Sequence, residues 1–204
     1  MSSRPPSQRI IGLTGGIASG KSTVSDYLAT AYHLPILDAD IYAREAVALG
    51  SPILKTLAQR YGEAVLLADG DLNRPQLGQI IFNQPDEKHW VEQQIHPFVR
   101  QRFEQVRRDY PASQTLVYAI PLLFEARLTH LVSEIWVVAC SPQQQLDRLM
   151  ARNGLSQPEA QTRIDNQIPL SEKIPQADYL LDNSRDRNFL HQQIDQIFQS
   201  SQQI

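Results

Sequence analysis

The sequence predicts an α/β fold, a parallel sheet flanked by helices, and three observations lead there. The apolar run Arg9-Ile10-Ile11-Gly12-Leu13-Thr14 passes directly into Gly15-Gly16-Ile17-Ala18-Ser19-Gly20-Lys21-Ser22-Thr23, a complete G-x-x-x-x-G-K-S loop between a strand pattern and a helix pattern. Residues 116–120 and 134–139 are continuous apolar runs rich in β-branched residues, as parallel strands buried on both faces require. Helical patterns separate these runs, so strands and helices alternate along the chain.

Residues 1–8 are polar and read as a disordered lead-in. After the loop a helix continues over 24–32, and the short strand 34–37 runs into Asp38-Ala39-Asp40. Those carboxylates end a strand, as does the glycine loop. Ligands of open α/β sheets bind beyond the carboxyl ends of the strands, so both features are expected at one crevice. Residues 41–110 are helical in pattern, over 41–49, 52–60, 75–82 and 87–108, and are expected to be an insertion that recognises a second substrate. The core is then 9–40 with 111–204.

Ser141-Pro142-Gln143-Gln144 has the hydroxyl, proline and glutamine of a capped helix start, and that helix is expected to reach about Arg152. Asn153-Gly154 breaks it, and Ser156-Gln157-Pro158-Glu159 starts another, ending near Pro169. Residues 148–176, with Arg148, Arg152 and Arg163, read as a lid. A fifth strand over 179–181, an amphipathic helix over 189–198 and a polar tail over 199–204 complete the chain.

The formal net charge of −3 over 204 residues argues against a dedicated nucleic-acid binder, which needs a basic excess to displace counterions. The single cysteine, Cys140, forms no internal disulfide and reads as a small core residue. The start of the chain has no apolar signal segment, and the longest apolar stretch, around 116–124, is too short for a bilayer and contains Pro121. A cytoplasmic protein is expected, with no membrane and no obligate protein partner.

The glycine loop carries the most specific chemistry. Gly15 and Gly20 let backbone N–H groups close on a phosphate, joined by Gly16, Ala18, Ser19 and Thr23. Lys21 adds a cation at the β and γ oxygens, Ser22 is placed to ligate Mg²⁺, and the helix start points its positive end at the anion. These features predict a nucleoside triphosphate as ligand. Asp40 is the candidate to orient an acceptor hydroxyl and take its proton, with Asp38 beside it; the competing reading is that Asp40 only caps the helix from Ile41. Arg148 and Arg152, one helical turn apart, are candidates to grip transferring phosphates. His96-Pro97 predicts a bend, because proline disfavours helical geometry at the preceding residue. Glu125 either approaches Mg²⁺ through water or caps the next element.

A GTPase would carry N-K-x-D and D-x-x-G, and neither string occurs. A small-molecule kinase remains. Thr14 to Ser22, then Asp38-Ala39-Asp40 with Ala43-Arg44, Asp69-Gly70 with Leu72 and Arg74, Ile81-Phe82 with Pro85, His96-Pro97, Pro121-Leu122-Leu123 with Glu125, and Asp182-Asn183 together resemble the dephospho-CoA kinase family. The resemblance implies a P-loop kinase core with a helical acceptor-binding insertion and a lid. It also implies transfer of the ATP γ-phosphate to the ribose 3′-hydroxyl of 3′-dephospho-CoA with Mg²⁺. It assigns Asp40 as base, Asp38 as its neighbour, Arg44 and His96 to the acceptor, and Arg148 to the ATP side. The family usually has glycine where this chain has Ala18, and the position is expected to suit an L-residue. Two alternatives are a nucleoside or nucleoside-monophosphate kinase and a non-catalytic ATP-sensing module. Assembly state is not legible from these residues.

Overall fold

A computed structural model describes residues 8–201. The predicted lead-in lies outside them except for Gln8, as do residues 202–204 of the predicted tail.

Five strands, β1 (Ile10–Gly15), β2 (Ile36–Asp38), β3 (Leu116–Ala119), β4 (Glu134–Ala139) and β5 (Tyr179–Asp182), form one parallel sheet in the order β2-β3-β1-β4-β5. The register pairs Ile11 with Val117 on one side of β1 and Thr14 with Val137 on the other. β1 is therefore central, and all six of its residues are buried. That burial on both faces is why its sequence is a continuous apolar run rather than an alternation. Helices α1 (Lys21–Ala31) and α9 (Arg187–Ser201) pack Val24, Leu28, Leu190, Ile194 and Phe198 against Ile11, Leu13, Trp136 and Val138. Residues 199–201, expected in the tail, belong to α9.

The chain divides into two compact units: the segments up to Leu37 and from Pro111 onward form one, and Asp38–Tyr110 the other. The second contains α2 (Ala39–Ala46), α3 (Pro52–Tyr61), α4 (Arg74–Asn83) and α5 (Pro85–Arg107) around its own core of Ala46, Val47, Leu54, Leu57, Leu72, Leu77 and Val91. Each of α3 and α4 is capped as its sequence allows: Ser51 accepts from Leu54 N, and Asn73 from Gln76 N.

Two local expectations change. α5 stays helical through His96 and Pro97, against the local disfavour before proline. Val91, Val99 and Phe103 are buried from both sides of the proline, so packing along the whole helix outweighs the local cost. The helix starting after Ser156 ends early, as α7 (Gln157–Asp165), and a one-turn helix α8 (Leu170–Lys173) follows the linker 166–169.

Candidate active site

In the first unit the glycine loop joins β1 to α1. Gly20 caps α1 at φ 103°, a left-handed angle open to glycine, and a Cβ there would overlap Asn183 Nδ2. Asn183 follows β5, and its Nδ2 donates to Ser19 O at 2.7 Å, so the end of the sheet straps the loop's outer turn. Inside the loop Ser19 N donates to Gly16 O and Thr23 N to Gly20 O, which shapes the turns. Lys21 and Ser22 open the first turn of α1, with the Ser22 hydroxyl at the surface.

Ala18 corrects the sequence reading. Its φ is +60°, in the left-handed region, so this position is one that favours glycine rather than an L-residue. Its methyl packs with Ile17 against Leu146, Leu149 and Ala160 of α6 (Pro142–Asn153) and α7, which offsets part of the strain.

α6 begins with the expected capping box between Ser141 and Gln144, and α7 with one between Ser156 and Glu159. The two arginines of α6 separate. Arg148 is half-buried and its Nη2 donates to Asn183 O at 3.0 Å, while Nη1 is buried without a hydrogen-bond partner. Arg152 is exposed and its Nε bonds Asn153 Oδ1. Beside Arg148, burial raises the Cys140 thiol above its usual pKa, a direction that suits a core thiol rather than a nucleophile. Glu125 Oε1 lies 2.6 Å from the fully buried Lys173 Nζ and accepts from Ile168 N, while its Oε2 is buried without a hydrogen-bond partner.

In the second unit Asp38 is the cap of α2, its Oδ1 accepting from Asp40 N at 2.8 Å. The capping reading considered for Asp40 thus belongs to Asp38, and Asp40 stands exposed in the first turn. Asp40 and Arg44, one helical turn apart, line a cavity of about 400 Å³ whose wall also includes Arg74, Leu72, Leu77 and Ile81. A carboxylate and two guanidiniums beside an apolar wall can hold a ligand that carries both anionic and apolar groups. His96 is half-buried on α5 and is not among the residues lining this cavity. Burial lowers its pKa; Glu92 opposes this, and Arg100 and His89 add to it.

Sequence reasoning quoted Arg74 without giving it a role; its place after Asp69-Gly70 and Leu72 was the available signal. It missed Gln167, whose Oε1 accepts from Ile17 N at 2.8 Å, and Lys173, for which no motif offers a signal.

A model of the dephospho-CoA kinase family matches residues 9–188. The chain is 59% identical over 188 residues to a dephospho-CoA kinase of Trichormus variabilis, covering 92% of this chain and 95% of that one. Among solved structures it is similar to TT1252 from Thermus thermophilus, with a TM-score of 0.82 at 29% identity over 95% of this chain and 98% of that one. It is also similar to the dephospho-CoA kinase from Campylobacter jejuni, with a TM-score of 0.66 at 26% identity over 93% and 95%. With the loop, the sheet order and the helical insertion already in place, these matches show that the chain belongs to the dephospho-CoA kinase family.

Proposed function

We propose that the chain transfers the γ-phosphate of ATP to the ribose 3′-hydroxyl of 3′-dephospho-CoA, giving CoA and ADP. The observation that carries this reading is the intact G-x-x-x-x-G-K-S loop, with Gly20 at its left-handed angle, in a chain of this family. The acceptor oxygen attacks the γ-phosphorus in line, the bond from that phosphorus to the β-bridging oxygen breaks, and ADP leaves. Asp40 orients the acceptor hydroxyl and takes its proton.

The amides of Ala18, Gly20, Lys21 and Ser22, with the Lys21 ammonium, hold the β and γ phosphates. Arg148, Arg152 and the lid neutralise charge as it develops on the transferring group. Arg44 and Arg74 hold anionic groups of the acceptor, and Asp38 keeps Asp40 in its helical turn; His96 supports the acceptor helix.

The donor set fits Mg²⁺. The exposed Ser22 hydroxyl supplies one oxygen, and among the described residues no group of three or more His, Cys, Asp or Glu forms a protein cage. Mg²⁺ characteristically takes its other ligands from phosphates and water. When bound, it neutralises charge on the β and γ oxygens. The reading is of a cytoplasmic enzyme acting on small molecules; among the described residues no helix is long and apolar enough to cross a membrane.

The test is acceptor-dependent ADP formation, with 3′-dephospho-CoA set against nucleosides and nucleoside monophosphates and the phosphate position read by NMR. Phosphate on the 3′-oxygen is expected. A different preferred acceptor would overturn the substrate, and ATP binding with no active acceptor would favour the sensing module. Asp40→Asn is expected to keep ATP affinity and to lower turnover at least 100-fold; near-normal turnover removes Asp40 as the base.

A further inference from the structure

The linker between α7 and α8 lies on the glycine loop. Gln167 Oε1 accepts from Ile17 N at 2.8 Å, and Leu170 Cδ1 comes within 3.3 Å of where a Gly16 Cβ would stand. The next residue, Ile168, donates its N–H to Glu125 Oε1, which also pairs with Lys173 Nζ at 2.6 Å. Lys173 is fully buried. An ion pair to a buried lysine, whose carboxylate oxygen also accepts from a backbone N–H, is costly to break, so the segment 167–173 is anchored at Ile168 and at Lys173.

That anchoring gives Gln167 a defined orientation. A backbone N–H only donates, so the carboxamide oxygen must face Ile17, and the NH₂ end with its two donors must face away from that amide. The oxygen is occupied, and the donors make no hydrogen bond to protein among the described residues. The loop between Gly15 and Gly20 is where a terminal phosphate is bound. A neutral carboxamide clamped to that loop by its acceptor, with its donors left over, has the polarity a phosphate oxygen requires.

We propose that Gln167 is a ligand of the γ-phosphate, a substrate-contacting residue that separates triphosphate from diphosphate, and that the Glu125–Lys173 pair positions it. The proposal rests on the reading of the loop as an ATP site but not on the identity of the acceptor.

The experiment is calorimetric binding of β,γ-imido-ATP and of ADP, each with Mg²⁺ and without acceptor, to the wild-type chain, Gln167→Met and Gln167→Glu. Methionine keeps the length and removes the donors; glutamate keeps the shape and turns a carboxylate oxygen toward the phosphate. Loss of a hydrogen bond to a charged group predicts about tenfold weaker binding of imido-ATP by Gln167→Met, with ADP changed less than about twofold. Gln167→Glu is expected to lose more. Equal losses for both nucleotides would assign Gln167 to loop shape alone, and tighter imido-ATP binding would mean that it occupies the phosphate's place; either overturns the proposal. In the wild-type chain the Gln167 side-chain NH₂ signals are expected to shift with imido-ATP and not with ADP, a readout that needs no variant to fold. A wild-type chain that binds neither nucleotide brings down the ATP site together with this inference, whereas binding with an unchanged imido-ATP to ADP ratio in both variants brings down this inference alone.

Discussion

Ala18 holds a left-handed backbone, φ +60°, with a methyl group inside the small cluster formed by Leu146, Leu149 and Ala160. The strain is worth about 1–2 kcal/mol for an L-residue, whereas half-burying one methyl returns about 0.4 kcal/mol and the smaller unfolded-state freedom of alanine about 0.4–1. Strain is the larger effect by a small margin. Ala18→Gly is therefore expected to stabilise the chain by about 0.5 kcal/mol in urea unfolding; a loss of stability would show that the methyl's packing dominates. His96 offers a second single-residue test. Its folded pKa is depressed below 6.5 by burial, so the unfolded chain binds the proton more readily. The resulting stability is complete above the unfolded pKa and is lost as pH falls through the lower folded value. His96→Gln is expected to flatten the decline of melting temperature between about pH 7 and pH 5, and an unchanged slope would place that pH dependence elsewhere.

Helix α5 runs from Pro85 to Arg107 with Pro97 inside it, where proline removes the hydrogen bond to the residue four back and crowds that carbonyl. Interior proline costs a helix about 3 kcal/mol relative to alanine. Packing on both sides of the proline outweighs that cost: Val91 and Phe98 lie in or against the core of the insertion, Val99 is buried, and the buried Phe103 meets Tyr42 edge to face. Pro97→Ala is accordingly expected to raise stability by about 1 kcal/mol or more, measured by urea unfolding; no gain would mean that the helix is shaped around the proline. Other elements obey their local signals. The Ser141 and Ser156 boxes both form, because a hydroxyl and a carboxyl or carboxamide three residues apart satisfy donors that any helix start leaves open.

For the whole chain, binding energy and cooperativity can be read unit by unit. ATP with Mg²⁺ at about 100 times its Kd adds about 2.7 kcal/mol to the state that binds it. Hydrogen exchange is expected to slow at residues 15–24 and 141–183 when ATP is added, and at residues 40–95 when 3′-dephospho-CoA is added. Protection by ATP that misses 15–24 would contradict the loop as its site. Both segments of the first unit are needed for one sheet, since β1 hydrogen-bonds to β3 and β4, which lie more than a hundred residues further on. The insertion holds its own core and is interrupted by no strand of that sheet.

By itself the sequence determined the loop, the strands and the capped helices, because each depends on groups a few residues apart or on an apolar period. Asp40 stood out in the sequence as a carboxylate at a strand end and Arg44 through the family resemblance, and the structure places both on the wall of one cavity. Only the tertiary structure decided that Asp38 rather than Asp40 caps that helix, that Ala18 is left-handed, and that Pro97 lies inside α5. It alone brought Gln167 to Ile17 across 150 residues, Asn183 to Ser19 across 164, and Glu125 to Ile168 across 43. Such partners are chosen by the packing of the sheet and its helices and by the need to satisfy or neutralise what that packing buries, which no short stretch of sequence specifies.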